Sequence, residues 1–308
     1  MIKALFAARP ERWPAYEPAL KAAFAEAGLD VDLRPDFAPE EVDYIIYAPN
    51  SDLQDFMPYT RCKAVLNIWA GVERITGNLT LTQPLCRMVD PGLTQAMVEW
   101  VTGHVLRYHL EIDRTLATQD SWDPFVPPLA EERPVTILGL GALGQACAKS
   151  LRQIGFPVSG WSRTEKQIEG LSCYHGDAGL KASLSTAEIV ILLLPDTPDT
   201  QNILNAKTLA HLPKGARIIN PGRGPLIDDA ALIAALDKGA LAHATLDVFR
   251  VEPLPADHPF WAHPRITVTP HIAAETRPLT AARVIAENIH RGETQAPFLH
   301  LVDRQRGY

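Results

Sequence analysis

No stretch constrains the fold of this chain more than VTILGLGALGQA, residues 135–146. An apolar run that reads as a β-strand passes straight into Gly139, Gly141 and Gly144, spaced G-x-G-x-x-G, and the continuation ACAKSLRQIG has helical periodicity. Each glycine has a separate reason to be there. Gly139 permits a tight turn, Gly141 lets the backbone approach a pyrophosphate, and Gly144 allows a helix to pack closely on the strand. The amides of Ala142 and Leu143 then open a helix, where partial positive charge favours an anion. An ordinary glycine-rich turn is the competing reading, and the strand–turn–helix context weighs against it. The expectation is a dinucleotide site on a parallel α/β sheet.

The rest of the chain repeats that alternation. IKALFAA, VDYIIYAP and KAVLNIWA read as strands, with an amphipathic helix in PAYEPALKAAFAEAG closed by Gly28. A long helical pattern follows Pro91 and Gly92, LTQAMVEWVTGHVLRYHLEIDRTLATQD, long enough to bridge two domains. After the proline-rich loop WDPFVPPLAEERP come the glycine turn and the short apolar strands PVSGWS, AEIVILLLP, ARIINPG, HATLDVF and ITVTPH. NAKTLAHL and DDAALIAALDKG read as helices between them, and ETRPLTAARVIAENIHRG as a helix returning to the first domain. The predicted fold is therefore α/β: a doubly wound nucleotide-binding domain of Rossmann type over 99–274, and a smaller, flavodoxin-like α/β substrate domain built discontinuously from 1–98 and 275–308. A cleft between the two is expected to hold the chemistry.

Composition excludes several other classes. The 308 residues carry a formal charge of −7, whereas phosphate-backbone recognition wants a basic face, so no nucleic-acid partner is expected. The longest aliphatic run, IVILLLP, is far too short to cross a membrane and reads as a strand buried on both faces. Cys62, Cys86, Cys147 and Cys173 show no CxxC or CxxH spacing, which predicts reduced thiols in a cytoplasmic protein and no metal site.

The glycine turn lacks its usual companion. About twenty residues on, a carboxylate normally binds the ribose 2′-hydroxyl, yet FPVSGWSRTEKQ places Ser162, Arg163 and Thr164 there, with Lys166 close behind. Two like charges about 4 Å apart at an effective dielectric near 20 repel by roughly 4 kcal/mol, so an acid would reject a 2′-phosphate. A hydroxyl followed by an arginine accepts one, the guanidinium gripping it with two hydrogen bonds. NADPH is predicted over NADH. Solvated surface charges at Arg163 and Lys166 are the bland alternative.

Three further segments, INPGRGPLID, LDVFRVEPLP and TVTPHIAAE, each put a polar residue just past an apolar strand, at the rim where doubly wound sheets bind ligands. Taken alone, Arg223 could be a loop charge, Glu252 a turn residue and His271 a satisfied buried histidine. Together, behind the glycine turn, they suggest a guanidinium, a carboxylate and an imidazole beside one cofactor.

At this density the chain resembles the D-isomer-specific 2-hydroxyacid dehydrogenases, and within them the glyoxylate/hydroxypyruvate reductase A group. LPDTPDTQNILN, LPKGARIINPGRGPLID, ALDKGALAHATLDVF, EPLPADHPFWAHPRITVTPHIA and the terminal VDRQRGY carry the likeness, densest over 134–275. The resemblance implies that Arg223 holds the carboxylate and carbonyl of a small 2-keto acid, that His271 is the general acid/base, and that Glu252 orients it. It also implies cofactor contacts from Leu194, Pro195, Thr200, Pro221 and Asp247, the last through the nicotinamide carboxamide. Together with the long helix it suggests a homodimer. The family's GAGVD loop, whose amides bind the substrate carboxylate, corresponds to Trp69, Ala70, Gly71 and Val72, with Trp69 where a small residue is usual and Glu73 in place of aspartate. That indole either bounds a small pocket or belongs to the core. A nucleotide-sensing regulator on the same fold, or a dehydrogenase for another small acid, are the alternative readings.

Overall fold

The computed structural model describes residues 1–304, so Gln305–Tyr308, the end of the VDRQRGY segment, lie outside it. The chain divides into two compact units, Met1–Leu93 with Glu275–Tyr308, and Thr94–Ala274.

In the first unit, strands β1 (Ile2–Ala7), β2 (Val31–Arg34), β3 (Tyr44–Tyr47), β4 (Ala64–Asn67) and β5 (Leu85–Cys86) form one sheet in the order β2-β1-β3-β4-β5. Every pairing is parallel. That order is the flavodoxin-like one. Helix α1 (Trp13–Glu26) buries Tyr16, Leu20, Ala23 and Phe24, and a single turn, α2 (Glu73–Thr76), follows β4. The central strands are apolar at successive positions because both faces are covered: Ile45 and Ile46, neighbours in sequence, are each 0% exposed.

The next helix, α3 (Pro91–His109), has its first amides capped by Asp90, whose Oδ1 accepts from the N–H groups of Gly92 and Leu93. Its face Met97, Val101, Val105 and Tyr108 packs against the second unit's sheet. Here the structure corrects the uninterrupted helix read over 93–120. The helix ends at His109, Glu111 adopts φ 51, and a separate α4 (Ile112–Ala117) begins. The left-handed residue is held by charge: the Glu111 carboxylate pairs with Arg217 and lies 3.6 Å from Arg133, whose Nη1 donates to the Tyr108 carbonyl at 3.0 Å. Helical periodicity cannot report a break made by partners more than twenty residues distant.

The second unit holds β6 (Val135–Leu138), α5 (Ala142–Ile154), β7 (Val158–Ser162), β8 (Ser172–His175), α6 (Gly176–Leu184), β9 (Ile189–Leu192), α7 (Ala206–Leu209), β10 (Ala216–Asn220), α8 (Asp229–Asp237), β11 (Leu241–Leu246) and β12 (Ile266–Val268). The sheet runs β12-β11-β10-β9-β6-β7-β8, all parallel, so the strand order reverses between β6 and β9. Ligands of doubly wound sheets bind at such a reversal. Ile189, Val190, Ile191 and Leu192 are all 0% exposed, as a strand covered on both faces requires. The chain then returns as α9 (Pro278–Glu293), whose buried face Ala281, Ala282, Ile285 and Ile289 joins the first unit's core. The expected fold class, a Rossmann unit with a flavodoxin-like α/β unit, is the one observed. Strands β2 and β8 and helix α6 carry little apolar periodicity and went unread in the sequence.

Candidate active site

The glycine turn leaves β6 at the reversal. Gly139 has φ +109, and a Cβ there would stand 2.4 Å from the Leu193 carbonyl oxygen; one on Gly144 would stand 1.8 Å from that of Gly139. Both positions therefore exclude any side chain. A Cβ on Gly141 would meet nothing within 4 Å, so this part of the backbone is open to a ligand's approach. Gly141 and Ala142 are exposed, and the first amides of α5 have no intrahelical acceptor. This cradle fits a pyrophosphate.

Around it stand the residues expected to read the rest of a dinucleotide. Ser162 ends β7 almost buried, and its Oγ donates to the Thr164 carbonyl at 2.8 Å, which fixes the turn carrying Arg163. Arg163 pairs with Asp199 at 3.0 Å. Lys166 donates from Nζ to the carbonyl of Leu140, inside the glycine turn, at 2.7 Å. Leu194 and Pro195 leave β9, and Thr200 closes their loop, its Oγ1 donating to the Pro195 carbonyl at 2.7 Å and accepting from the Thr197 amide at 2.9 Å. Pro221 is buried behind β10.

Three loops past β10, β11 and β12 assemble the charged residues. Asn220, 1% exposed, staples the first: its Nδ2 donates to the Arg223 carbonyl and its Oδ1 accepts from Gly222 N–H. Gly224 then passes so close to the β11 loop that a Cβ would stand 2.0 Å from the carbonyl carbon of Phe249. This approach sets Arg223 beside the turn Phe249–Glu252. There Glu252 accepts the Phe249 amide on Oε1 at 2.9 Å and meets His271 Nδ1 with Oε2 at 2.7 Å.

His271 occupies a left-handed backbone, φ 55, which costs a side chain of this kind on the order of 1 kcal/mol or more. Asp247 holds it there. The Asp247 carboxylate is 0% exposed; Oδ1 accepts from Thr269 Oγ1 at 2.6 Å and Ile272 N–H at 2.9 Å, and Oδ2 from Ala273 N–H at 2.9 Å. The Asp247 carbonyl also accepts the His271 amide at 2.8 Å.

The electrostatics follow from these contacts. The hydrogen bond to Glu252 raises the His271 pKa above the usual histidine range, against the opposing effects of burial and of the Arg223 charge. Burial pushes the Glu252 carboxyl up, but the hydrogen bonds from His271 and Phe249 and the charges of His271 and Arg223 bring it down overall. Arg223 thus acts on both partners. With Nδ1 engaged by a carboxylate, Nε2 is the nitrogen left to exchange a proton.

The other residues singled out in the sequence lie in the first unit. Asn67, 1% exposed, binds the carbonyls of Trp69 and Gly71 through Nδ2 at 3.0 Å each. Among the described residues the amides of Ala70, Gly71 and Val72 donate to no protein acceptor. The Val72 side chain is core, and the Trp69 indole packs partly buried against the unit's apolar cluster. Asn67, Asn220 and Thr269 escaped the sequence reading. Each sits at or just past a strand end, and only the asparagine opening NPGRG had a motif to mark it.

Comparison with known proteins agrees with this fold. The model of the D-isomer specific 2-hydroxyacid dehydrogenase NAD binding domain matches residues 102–273. Glyoxylate/hydroxypyruvate reductase A of Serratia proteamaculans (strain 568) is 42% identical over 257 residues, which span 80% of this chain and 82% of that one. The crystal structure of a D-isomer specific 2-hydroxyacid dehydrogenase from Xanthobacter autotrophicus Py2, in complex with NADPH and MES, matches with TM-score 0.92 at 42% identity, over 100% of this chain and 99% of that one. The NADPH-dependent glyoxylate/hydroxypyruvate reductase of Sinorhizobium meliloti, in complex with NADP and sulfate, matches with TM-score 0.86 at 34% identity over 100% of both chains.

Proposed function

This chain belongs to the D-isomer-specific 2-hydroxyacid dehydrogenases, and from that premise we propose that it reduces a small 2-keto acid, of the glyoxylate or hydroxypyruvate type, to the 2-hydroxy acid with NADPH. The observation that carries the reading is the 2.7 Å contact between His271 Nδ1 and Glu252, with the Arg223 charge acting on both. A regulator that only senses nucleotide has no use for a raised-pKa imidazole beside an arginine.

The chemistry asked of these side chains is limited. A 2-keto acid presents a carboxylate next to a carbonyl, and the planar Arg223 guanidinium binds that edge while polarising the C=O. The cofactor, when bound, supplies a hydride to the carbonyl carbon. His271 delivers the proton that the carbonyl oxygen then needs, from Nε2, and Glu252 keeps Nδ1–H in place and stabilises the imidazolium. In the opposite direction neutral His271 accepts that proton. Arg163, Ser162 and Lys166 read the 2′ end of the cofactor, and Gly139, Gly141, Gly144 and the amides of Ala142 and Leu143 take its pyrophosphate. Within the first unit, the free amides of the loop at Ala70–Val72 are the groups read as donors to a carboxylate.

A second copy of the chain covers the apolar segment that begins at Leu110: Leu116 is 64% exposed, Trp122 97%, Val126 88% and Leu129 67%. All four cysteines are free thiols, in keeping with a cytoplasmic protein. No helix among the described residues is long and apolar enough to cross a membrane.

The test of the cofactor and substrate is kinetic. With glyoxylate or hydroxypyruvate, kcat/KM should be about tenfold or more higher with NADPH than with NADH, the difference that about 1.4 kcal/mol at the 2′ position produces. Equal efficiency with both cofactors contradicts the 2′-phosphate reading.

A further inference from the structure

In the second unit's sheet, β7 and β9 lie on either side of β6, so the loops that follow them flank the glycine turn. Arg163 is the first residue past β7, and Asp199 lies in the loop past β9. They meet across the turn, Arg163 Nη1 donating to Asp199 Oδ2 at 3.0 Å. Both ends are fixed from below. The Ser162 hydroxyl ties the Arg163 turn to the Thr164 carbonyl, and the buried Thr200 hydroxyl ties the Asp199 loop to Pro195 and Thr197. The pair itself is open to solvent, with side-chain exposures of 42% and 66%, so it exchanges readily with an incoming anion.

We propose that Asp199 is a specificity-determining residue that tempers the preference for NADPH: in the free protein it holds Arg163 over the glycine turn, and it must yield the guanidinium when a 2′-phosphate arrives. This inference rests on the reading of Arg163 as the 2′-phosphate ligand. The physical basis is competition between two anions for one cation. A phosphate monoester carries more charge than a carboxylate and offers three acceptor oxygens to the guanidinium fork, so it displaces the acid. The displaced carboxylate stays tethered beside the phosphate and repels it. A free 2′-hydroxyl brings no charge and has little to gain or lose from the carboxylate. Asp199 therefore weakens binding of the phosphorylated cofactor selectively. Lys166, bound to the Leu140 carbonyl inside the glycine turn, adds a second positive charge there.

The test uses adenosine fragments, so that binding is read without turnover. 2′,5′-ADP and 5′-AMP are titrated calorimetrically into the wild-type protein and the Asp199→Asn variant at low ionic strength. The variant should bind 2′,5′-ADP about three- to tenfold more tightly, with 5′-AMP affinity unchanged within about twofold, and the gain should shrink as salt screens the site. Retained 5′-AMP binding shows that the variant is folded. Unchanged or weaker 2′,5′-ADP binding in the variant overturns the inference. The wild-type ratio reads the cofactor assignment separately. A wild-type preference for 2′,5′-ADP with no gain in the variant removes only the role of Asp199. No wild-type preference removes the cofactor assignment and this inference with it.

Discussion

His271 and Glu252 share one hydrogen bond, and the protonation of each is written in it. Because Glu252 is the largest influence raising the His271 pKa, the imidazolium persists above the usual histidine range. In the proposed reaction reduction consumes that proton, so kcat/KM for the keto acid should hold at low pH and fall as pH rises through the raised value. Oxidation of the hydroxy acid should rise over the same window. In Glu252→Gln the support is lost and the His271 pKa drops, so the falling limb for reduction should move to lower pH; a pH–rate profile that stays where it was contradicts the role given to Glu252. The same linkage bears on stability. The contribution from His271 is fully present below the ordinary histidine pKa and disappears as pH rises through the raised one. At this scale the sequence was informative about charged residues and silent about their supports. Arg223, Glu252 and His271 stood out as charges past apolar strands, whereas Asn220, Thr269 and Asn67 are ordinary polar residues until backbone amides and carbonyls close around them.

At the scale of elements, the strands with continuous apolar runs were legible, since burial on both faces leaves no other composition for them. The edge strands β2 and β8 were not: the burial of β8 is partial and its sequence, SCYH, shows no apolar run. The break between α3 and α4 was hidden for a different reason, being imposed by Arg217 and Arg133 from elsewhere in the chain. That break has a consequence, because it starts the segment carrying Trp122 and Val126, 97% and 88% exposed. Within it Arg114 pairs with Asp123 and lies 4.4 Å from the Phe125 ring centroid, so the segment has its own order. Such a surface, left to water, favours association. Wild-type protein should sediment as a dimer at micromolar concentration, and Trp122→Ser with Val126→Asp should shift it toward monomer; a monomeric wild type contradicts the proposed second copy.

At the scale of the molecule, two parallel sheets with different strand orders share one chain, and the active-site loops of the second unit all leave the same ends of its strands. A parallel sheet points every strand's C-terminal end one way, which is how Gly139, Arg163, Asp199, Arg223, Glu252 and His271, spread over more than a hundred residues, come to serve one rim. The glycine spacing in the sequence forecast that sheet, and the likeness to the dehydrogenases forecast the family. The distances and the strained His271 backbone came only with three dimensions. The most direct measurement is NADPH oxidation with glyoxylate or hydroxypyruvate by wild type and His271→Ala, beside cofactor binding measured on the same samples. Wild type should turn over, and the variant should lose about 10²–10⁴-fold in kcat while binding NADPH with unchanged affinity. Near-wild-type turnover by the variant, or no turnover by wild type with either acid, contradicts the account.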